Sequence, residues 1–358
     1  MTNSTLEVDR AAHGTTRLFE SDETITDGQV LFRIDRFAMT ANNVTYAAAG
    51  DLLGYWDFFP TEDGWGRVPA MGWAEVVESA APGIDVGGRY YGWFPMARQV
   101  AITATPTADG LRDDGAHRSQ HAAVYRAYLA TGNDPWYQDG RDAEDRQALL
   151  RGLFLTGFLA EEFFADDGYH GADQVLVLSA SSKTAIGFAQ RAAARGGPAV
   201  VGLTSAGNAE FVRSLGYYDQ VIDYDQLDDV ADTSSVIIDM AGNAGLVATI
   251  HERLGDKIGH SMTVGMSHHD APPAEITSGP SPQLFFAPTE VARRAAEWGA
   301  EAYRERTTSA LLAFVEGSRS WLTVETAAGP EATAETWGAL YRGAVPPATG
   351  MVATVHDA

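Results

Sequence analysis

The sequence predicts an α/β protein: a doubly wound parallel sheet joined to a β-rich domain. Three observations predict it. Short apolar runs alternate with helical patterns from about residue 145, and the first 144 residues are dense in strand, turn and aromatic signals. The first strand-to-helix turn of the later region is also built from small polar residues. A chain of 358 residues has the length for two domains, and 45% hydrophobic with 20% charged residues supplies a sizeable core.

In chain order, residues 29–35 (Gln-Val-Leu-Phe-Arg-Ile-Asp) alternate apolar and polar side chains at a period near two, and residues 75–79 do so more briefly. Trp56, Phe58, Phe59, Trp65 and Trp73 crowd the interval between them. Residues 83–92 read as a turn and a strand, residues 117–131 as a short helix, and residues 133–136 (Asn-Asp-Pro-Trp) as the turn after it. Leu149, Leu150, Leu153, Phe154, Phe158 and Leu159 recur at helical spacing and predict a helix over 145–164.

A series of βαβ units follows. Residues 175–178 form a wholly apolar strand, 184–195 an Ala-rich helix stopped by Gly196-Gly197-Pro198, and 199–203 a second strand. Residues 208–215 form a helix ended by Gly216, and Val221-Ile222 a third strand. Residues 236–239 and 262–264 are two further strands around a helix near 244–254. Residues 316–358 return to shorter, mixed patterning that packs back on the first domain. The predicted division is therefore 1–144 with 316–358, and 145–315.

Composition excludes several functions. Twenty-five basic against 48 acidic residues give a net charge of −23, which repels phosphate backbones and argues against nucleic acid and anionic membranes as partners. The absence of cysteine excludes disulfides, thiol catalysis and cysteine-ligated metals. The N-terminus lacks a basic and apolar leader pattern, and no apolar run approaches a bilayer span, so the expectation is a cytoplasmic protein.

Chemistry in such sheets gathers at the carboxyl ends of the strands. The first turn there is Ser179-Ala180-Ser181-Ser182-Lys183-Thr184-Ala185. Small residues let backbone approach a pyrophosphate, the helix N-terminus attracts anions, Ser181, Ser182 and Thr184 add hydroxyls, and Lys183 adds charge. The competing account makes Ser182 a helix cap and Lys183 a solvated charge. The second strand ends in Leu203-Thr204-Ser205-Ala206-Gly207-Asn208 with no acid, which admits a 2′-phosphate and favours NADPH over NADH. Ser205 and Asn208 donate hydrogen bonds there, with Lys183 or Arg213 supplying charge. Ala241, Gly242, Gly265 and Met266 close two later strands and are placed along the nicotinamide ribose.

The order of parts, with Pro69–Glu78, Val86–Gly92 and especially Leu215–Tyr224, resembles the medium-chain dehydrogenase/reductase superfamily over nearly the whole chain. Within it the chain looks like a branch related to zinc-free quinone and enoyl reductases, with a Ser-Ala-Ser-Ser-Lys-Thr-Ala turn. The resemblance implies a GroES-like domain, a Rossmann-type cofactor domain and a homodimer. Ser179, Ser182 and Ala185 stand where the superfamily usually has glycine. Trp73 and Ala74 stand where zinc-binding members carry His and Glu, so no metal site is expected. Residues 101–144 are longer than usual and are expected to make a lid or a dimer contact.

Without a Lewis acid, hydride transfer depends on positioning and on a donor for the developing enolate. The matching stretch holds Asn42, Asn43, Tyr46 and Tyr55. A phenol stays protonated at neutral pH yet can release a proton, so Tyr46 leads and Tyr55 follows, with Asn42 and Asn43 orienting nicotinamide or substrate carbonyl. The bland account makes each Tyr an ordinary core or rim residue. His268-His269-Asp270 follows a strand end, but adjacent side chains point apart, which argues against a metal site; Asp223–Asp229 reads as solvated surface. The resulting expectation is NADPH-dependent, zinc-independent reduction of an activated C=C bond in an enone, quinone or enoyl thioester. The alternatives are a carbonyl reductase and a non-catalytic nucleotide sensor or partner-binding protein. Tyr55, Trp56, Phe59, Trp93 and Trp136 hint at an apolar or aromatic small-molecule substrate.

Overall fold

The structure, a computed structural model, describes residues 2–265 and 274–356. The chain forms two compact units, Met1–Arg151 with Ser318–Ala358, and Gly152–Gly317.

The first unit opens with β1 (Asn3–Asp9) and β2 (Thr16–Ser21), then β3 (Gln29–Met39), helices α1 (Ala41–Ala48) and α2 (Gly50–Leu53), β4 (Trp65–Gly66), β5 (Pro69–Ser79) and β6 (Arg89–Pro95). β7 (Gln99–Thr107), β8 (Gly110–Asp113), the single turn α3 (Ala123–Arg126) and β9 (Ala127–Ala130) follow. β1 pairs with β2 and β4 in a small antiparallel sheet. The larger sheet runs β3-β5-β6-β9-β8-β7, and β7 pairs back onto β3, which closes a barrel.

That closure corrects one expectation: the helix expected over 117–131 shrinks to the single turn α3, and Ala127–Ala130 join the barrel as β9. The 101–144 stretch supplies most of β7 and all of β8 and β9 to the barrel wall. Ala-Tyr-Leu-Ala at 127–130 has good helix formers, but pairing on both edges overrides local preference. Gly92 makes the pairing possible, because a Cβ there would lie 2.4 Å from the fully buried Tyr128 ring. The Tyr128 hydroxyl donates to the Trp93 carbonyl at 2.9 Å.

Helix α4 (Arg141–Asp166) carries the first division of the chain within it. The second unit continues with β10 (Gln174–Leu178), α5 (Lys183–Arg195), β11 (Ala199–Thr204), α6 (Ala209–Ser214), β12 (Gln220–Asp223), β13 (Ser235–Asp239), α7 (Ala244–Leu254) and β14 (Ile258–Thr263). β15 (Gln283–Leu284), α8 (Ala287–Trp298) and α9 (Ala300–Gly317) complete it. The six strands are all parallel in the order β12-β11-β10-β13-β14-β15. β10 and β13 are buried at every residue, as the apolar runs 175–178 and 236–238 within them require. The sheet is the doubly wound arrangement expected, and its core gathers Leu176, Leu178, Val201, Leu203, Ile237 and Ile250. β16 (Thr323–Ala328), α10 (Pro330–Tyr341) and β17 (Thr349–Thr354) return to the first unit, where β17 pairs with β3.

Candidate functional site

In the second unit, the strand order reverses direction at β10, whose neighbours β11 and β13 lead to opposite sides of the sheet. A crevice at the carboxyl end of such a strand is the usual ligand position. β10 ends at Leu178, and Ser179 takes a left-handed backbone with φ +56°. For a residue with a Cβ that conformation is strained and persists only where neighbours hold it. Here they do: Ser182 N–H donates to the Ser179 carbonyl at 2.8 Å, and Ser179 N–H donates to the Tyr224 hydroxyl at 3.2 Å. The Tyr218 hydroxyl donates to the Ala180 carbonyl at 2.8 Å, its ring lying beside Gly202, where a Cβ would come within 2.8 Å of it.

Ser182 does cap α5, its hydroxyl accepting the Ala185 N–H at 3.2 Å. The cap leaves the helix's positive end at the strand edge, so capping and anion attraction coexist. Lys183 is only half-buried by area, yet protein encloses its ammonium closely enough that desolvation brings its pKa down to about 8. Thr184 is likewise half-buried in the first turn of the helix.

Beyond β11, Ser205 is exposed, and Asn208 Nδ2 donates to Ser181 Oγ at 3.2 Å, which ties the two turns together. Arg213 is exposed on α6 and reaches the Val221 carbonyl at 3.4 Å. β13 ends in buried Asp239, whose carboxylate accepts the N–H groups of Ala241 at 2.9 Å and Gly242 at 3.1 Å. Gly242 has φ +79°. Beyond β14, Gly265 passes so close to β13 that a Cβ would sit 2.2 Å from the Met240 carbonyl oxygen. Met266 lies outside the described residues, as do His268, His269 and Asp270.

The first unit gathers its candidates into an aromatic box. Thr40 and Asn43 form a capping box that starts α1, and Asn43 Nδ2 also donates to the Pro69 carbonyl at 2.9 Å. Both ends of the Asn43 amide are thus engaged in holding the helix. One turn on, Tyr46 is buried and its hydroxyl accepts from Asn42 Nδ2. Its ring lies 4.6 Å from that of Tyr55 and 5.4 Å from that of Trp93. The Tyr55 hydroxyl is 3.3 Å from the Tyr125 hydroxyl, and Phe58 lies 5.6 Å from Tyr55 and 5.3 Å from Tyr125. Buried Arg118 stacks over Phe58 at 3.9 Å.

Burial is the main influence on every titratable group of this box. It raises Tyr46 and Tyr125 well above the ordinary phenol value and Tyr55 in the same direction, and it lowers His121, whose ring lies 4.4 Å from that of Phe58. The three phenols therefore stay protonated and His121 stays neutral at physiological pH. Because Asn42 donates to the Tyr46 oxygen, the Tyr46 proton is directed elsewhere, and the same amide stabilises the oxygen once that proton leaves.

The remaining aromatic candidates scatter. Trp93 joins the box, and Phe59 is 6.4 Å from Phe58. Trp56 instead fills space beside Gly50 and Gly66, and Trp136 stacks on Arg151 at 4.1 Å. Trp73 is fully buried, with its indole N–H donating to the Glu144 carbonyl at 3.0 Å. Among the described residues, no three His, Cys, Asp or Glu side chains group as metal ligands. Reading the sequence missed Tyr218, Tyr224 and Asp239, although an Asp at a strand end, three residues before Gly242, is a detectable turn signal. It also missed Tyr125 and Arg118, which enter through the misread 117–131 segment.

A family model matches residues 37–346, most of the chain. The chain belongs to the family described as "Protein of unknown function (DUF2855)". No curated protein matches it. Among solved structures, CurA from Vibrio vulnificus is similar at 15% identity and TM-score 0.64, covering 99% of each chain. CurA in complex with NADPH, from the same organism, is similar at 14% identity and TM-score 0.63, covering 99% of this chain and 100% of that one. The yhdH oxidoreductase from Salmonella enterica in complex with NADP is similar at 15% identity and TM-score 0.54, with 99% of each chain covered. The chain shares the fold of these solved structures, and its β-barrel domain and doubly wound parallel-sheet domain are the two the sequence predicts. No helix among the described residues is long and apolar enough to cross a membrane.

Proposed function

We propose that this protein is an NADPH-dependent reductase that adds hydride and a proton across an activated C=C bond without zinc. The observation that carries the reading is the Ser179–Ala185 turn: small residues, a held backbone and the α5 N-terminus at the carboxyl edge of a doubly wound sheet. The fold shared with proteins solved with NADPH and NADP supports it.

Ser181, Ser182, Lys183 and Thr184 would hold the pyrophosphate end, and Ala241, Gly242 and Gly265 would give the nicotinamide ribose a close backbone wall. Ser205, Asn208 and Lys183 would meet a 2′-phosphate, which no acid between Thr204 and Asn208 repels. Arg213 belongs to this set by proximity in sequence, although its guanidinium donates to the Val221 carbonyl. NADPH, when bound, supplies a hydride. Tyr46 gives its phenolic proton to the substrate carbanion, leaving a phenolate that Asn42 stabilises. Tyr55 flanks the substrate, and Asn43 acts by positioning α1. The aromatic walls suit an apolar or ring-bearing electrophile. Trp73, Ala74 and the lack of cysteine support a zinc-independent route. The superfamily resemblance adds a homodimer, which light scattering tests.

The test is NADPH consumption on matched enones, quinones and ketones, before and after exhaustive chelation. Chelator-insensitive turnover of enones or quinones is the expected result. Turnover of ketones alone gives the carbonyl-reductase reading, and coenzyme binding without turnover gives the sensor reading.

A further inference from the structure

Helices α4, α5 and α9 of the second unit enclose a groove of about 400 Å³ that none of the chemistry above uses. Phe158, Ala310 and Ala313 give it an apolar surface, and Arg191, Arg195, Arg306, Glu162 and Ser309 supply its polar groups. Three guanidiniums against one carboxylate make an unusual lining in a chain of net charge −23. The three arginines are not alike. Arg195 is saturated by acids, bonding Glu161 at 2.6 and 2.9 Å and Glu162 at 2.8 Å, so the single carboxylate of the groove is already neutralised.

Arg191 and Arg306 have no carboxylate partner among the described residues. Arg306 stacks on Trp298 at 4.5 Å, and Arg191 lies over Phe158 at 5.4 Å with its Nε buried and without a hydrogen-bond acceptor. A buried donor left unmet is costly and calls for an acceptor. The negative end of α5 accounts for basic residues in its last turns, but not for a desolvated Nε facing aromatic carbon. Two unneutralised guanidiniums beside an apolar floor match an oxyanion carried on an apolar body.

We propose that this groove binds a small organic anion, a carboxylate or phosphate monoester on an aromatic or short alkyl group, with Arg191 and Arg306 holding the oxyanion and Phe158, Ala310 and Ala313 the apolar part. The site is separate from the strand-edge turn and does not depend on the coenzyme assignment.

The experiment measures binding of phenyl phosphate, benzoate and neutral benzyl alcohol by calorimetry at matched ionic strength, with and without saturating NADPH. Carrying it out both ways separates this groove from any anion affinity of the Ser179–Ala185 turn. The expected result is saturable binding of at least one anion under both conditions, none of the alcohol, and about tenfold weakening in Arg306→Gln and Arg191→Lys. Arg306 is exposed, so its variant tests the site even if the Arg191 variant folds poorly. Arg112→Gln, an equal charge change in the first unit, leaves binding intact. Absence of binding by both anions, equal binding of the alcohol, or undiminished affinity in Arg306→Gln overturns the proposal.

Discussion

The strand-edge turns of the second unit and the aromatic box of the first are built on opposite principles. The turns use backbone: a left-handed serine, a helix N-terminus and glycines that permit close approach, all within short stretches that follow successive strands. The box uses side chains from Tyr46, Tyr55, Phe58, Trp93, Arg118 and Tyr125, brought together only when the barrel closes. Backbone sites suit a group common to many ligands, such as a diphosphate, whereas side-chain sites discriminate between substrates. On the proposed reading, coenzyme belongs to the first of these regions and substrate chemistry to the second.

Removing the Tyr46 hydroxyl separates the two most sharply. Tyr46→Phe keeps the ring and is expected to lower kcat/KM for an enone by about 100-fold or more while NADPH affinity is unchanged, as steady-state kinetics and a binding titration would report. A loss confined to NADPH affinity would place Tyr46 with the coenzyme instead. Next in size is a change to the box through its scaffold. Gly92→Ala sets a methyl against the Tyr128 ring and is expected to cost about 1–3 kcal/mol in denaturant unfolding, with substrate KM rising as well.

The second of these effects falls where the sequence was least legible. The six parallel strands, their helices and the altered turn could be read because each signal is local: apolar runs, Gly-Pro stops, small residues at a strand end. Residues 117–131 could not, since Ala127–Ala130 become a strand only through partners at Tyr90–Tyr91 and Gly110–Arg112. With that strand misread, Tyr125 and Arg118 were out of view, and Trp56 and Trp136 passed for equals of Trp93. Tyr46 was legible by its place in a familiar segment, but its partnership with Asn42 and Tyr55 was not.

On the coenzyme side the expected effects are smaller. Lys183→Gln should weaken NADPH about tenfold and NADH less, because both coenzymes lose the pyrophosphate contact and only NADPH loses the 2′-phosphate contact as well. In the wild type, with an unliganded Lys183 pKa of about 8, the ammonium is present below that pH and lost above it, so the preference for NADPH over NADH should fall as pH rises through 8. A preference that stays flat from pH 7 to about 9 would remove Lys183 from the 2′-phosphate. Smallest is Ser179→Gly, which relieves the left-handed serine and should raise stability by about 0.5–1 kcal/mol in thermal or denaturant unfolding, with coenzyme binding retained.

The most direct measurement is a fluorescence titration of the purified protein with NADPH, repeated on a variant in which Thr184→Asp sets a carboxylate in the first turn of α5. Saturable binding that the added negative charge abolishes, with the variant still folded by circular dichroism, is what a diphosphate seat at residues 179–185 requires. No binding to the wild type, or equal binding to both proteins, would contradict it.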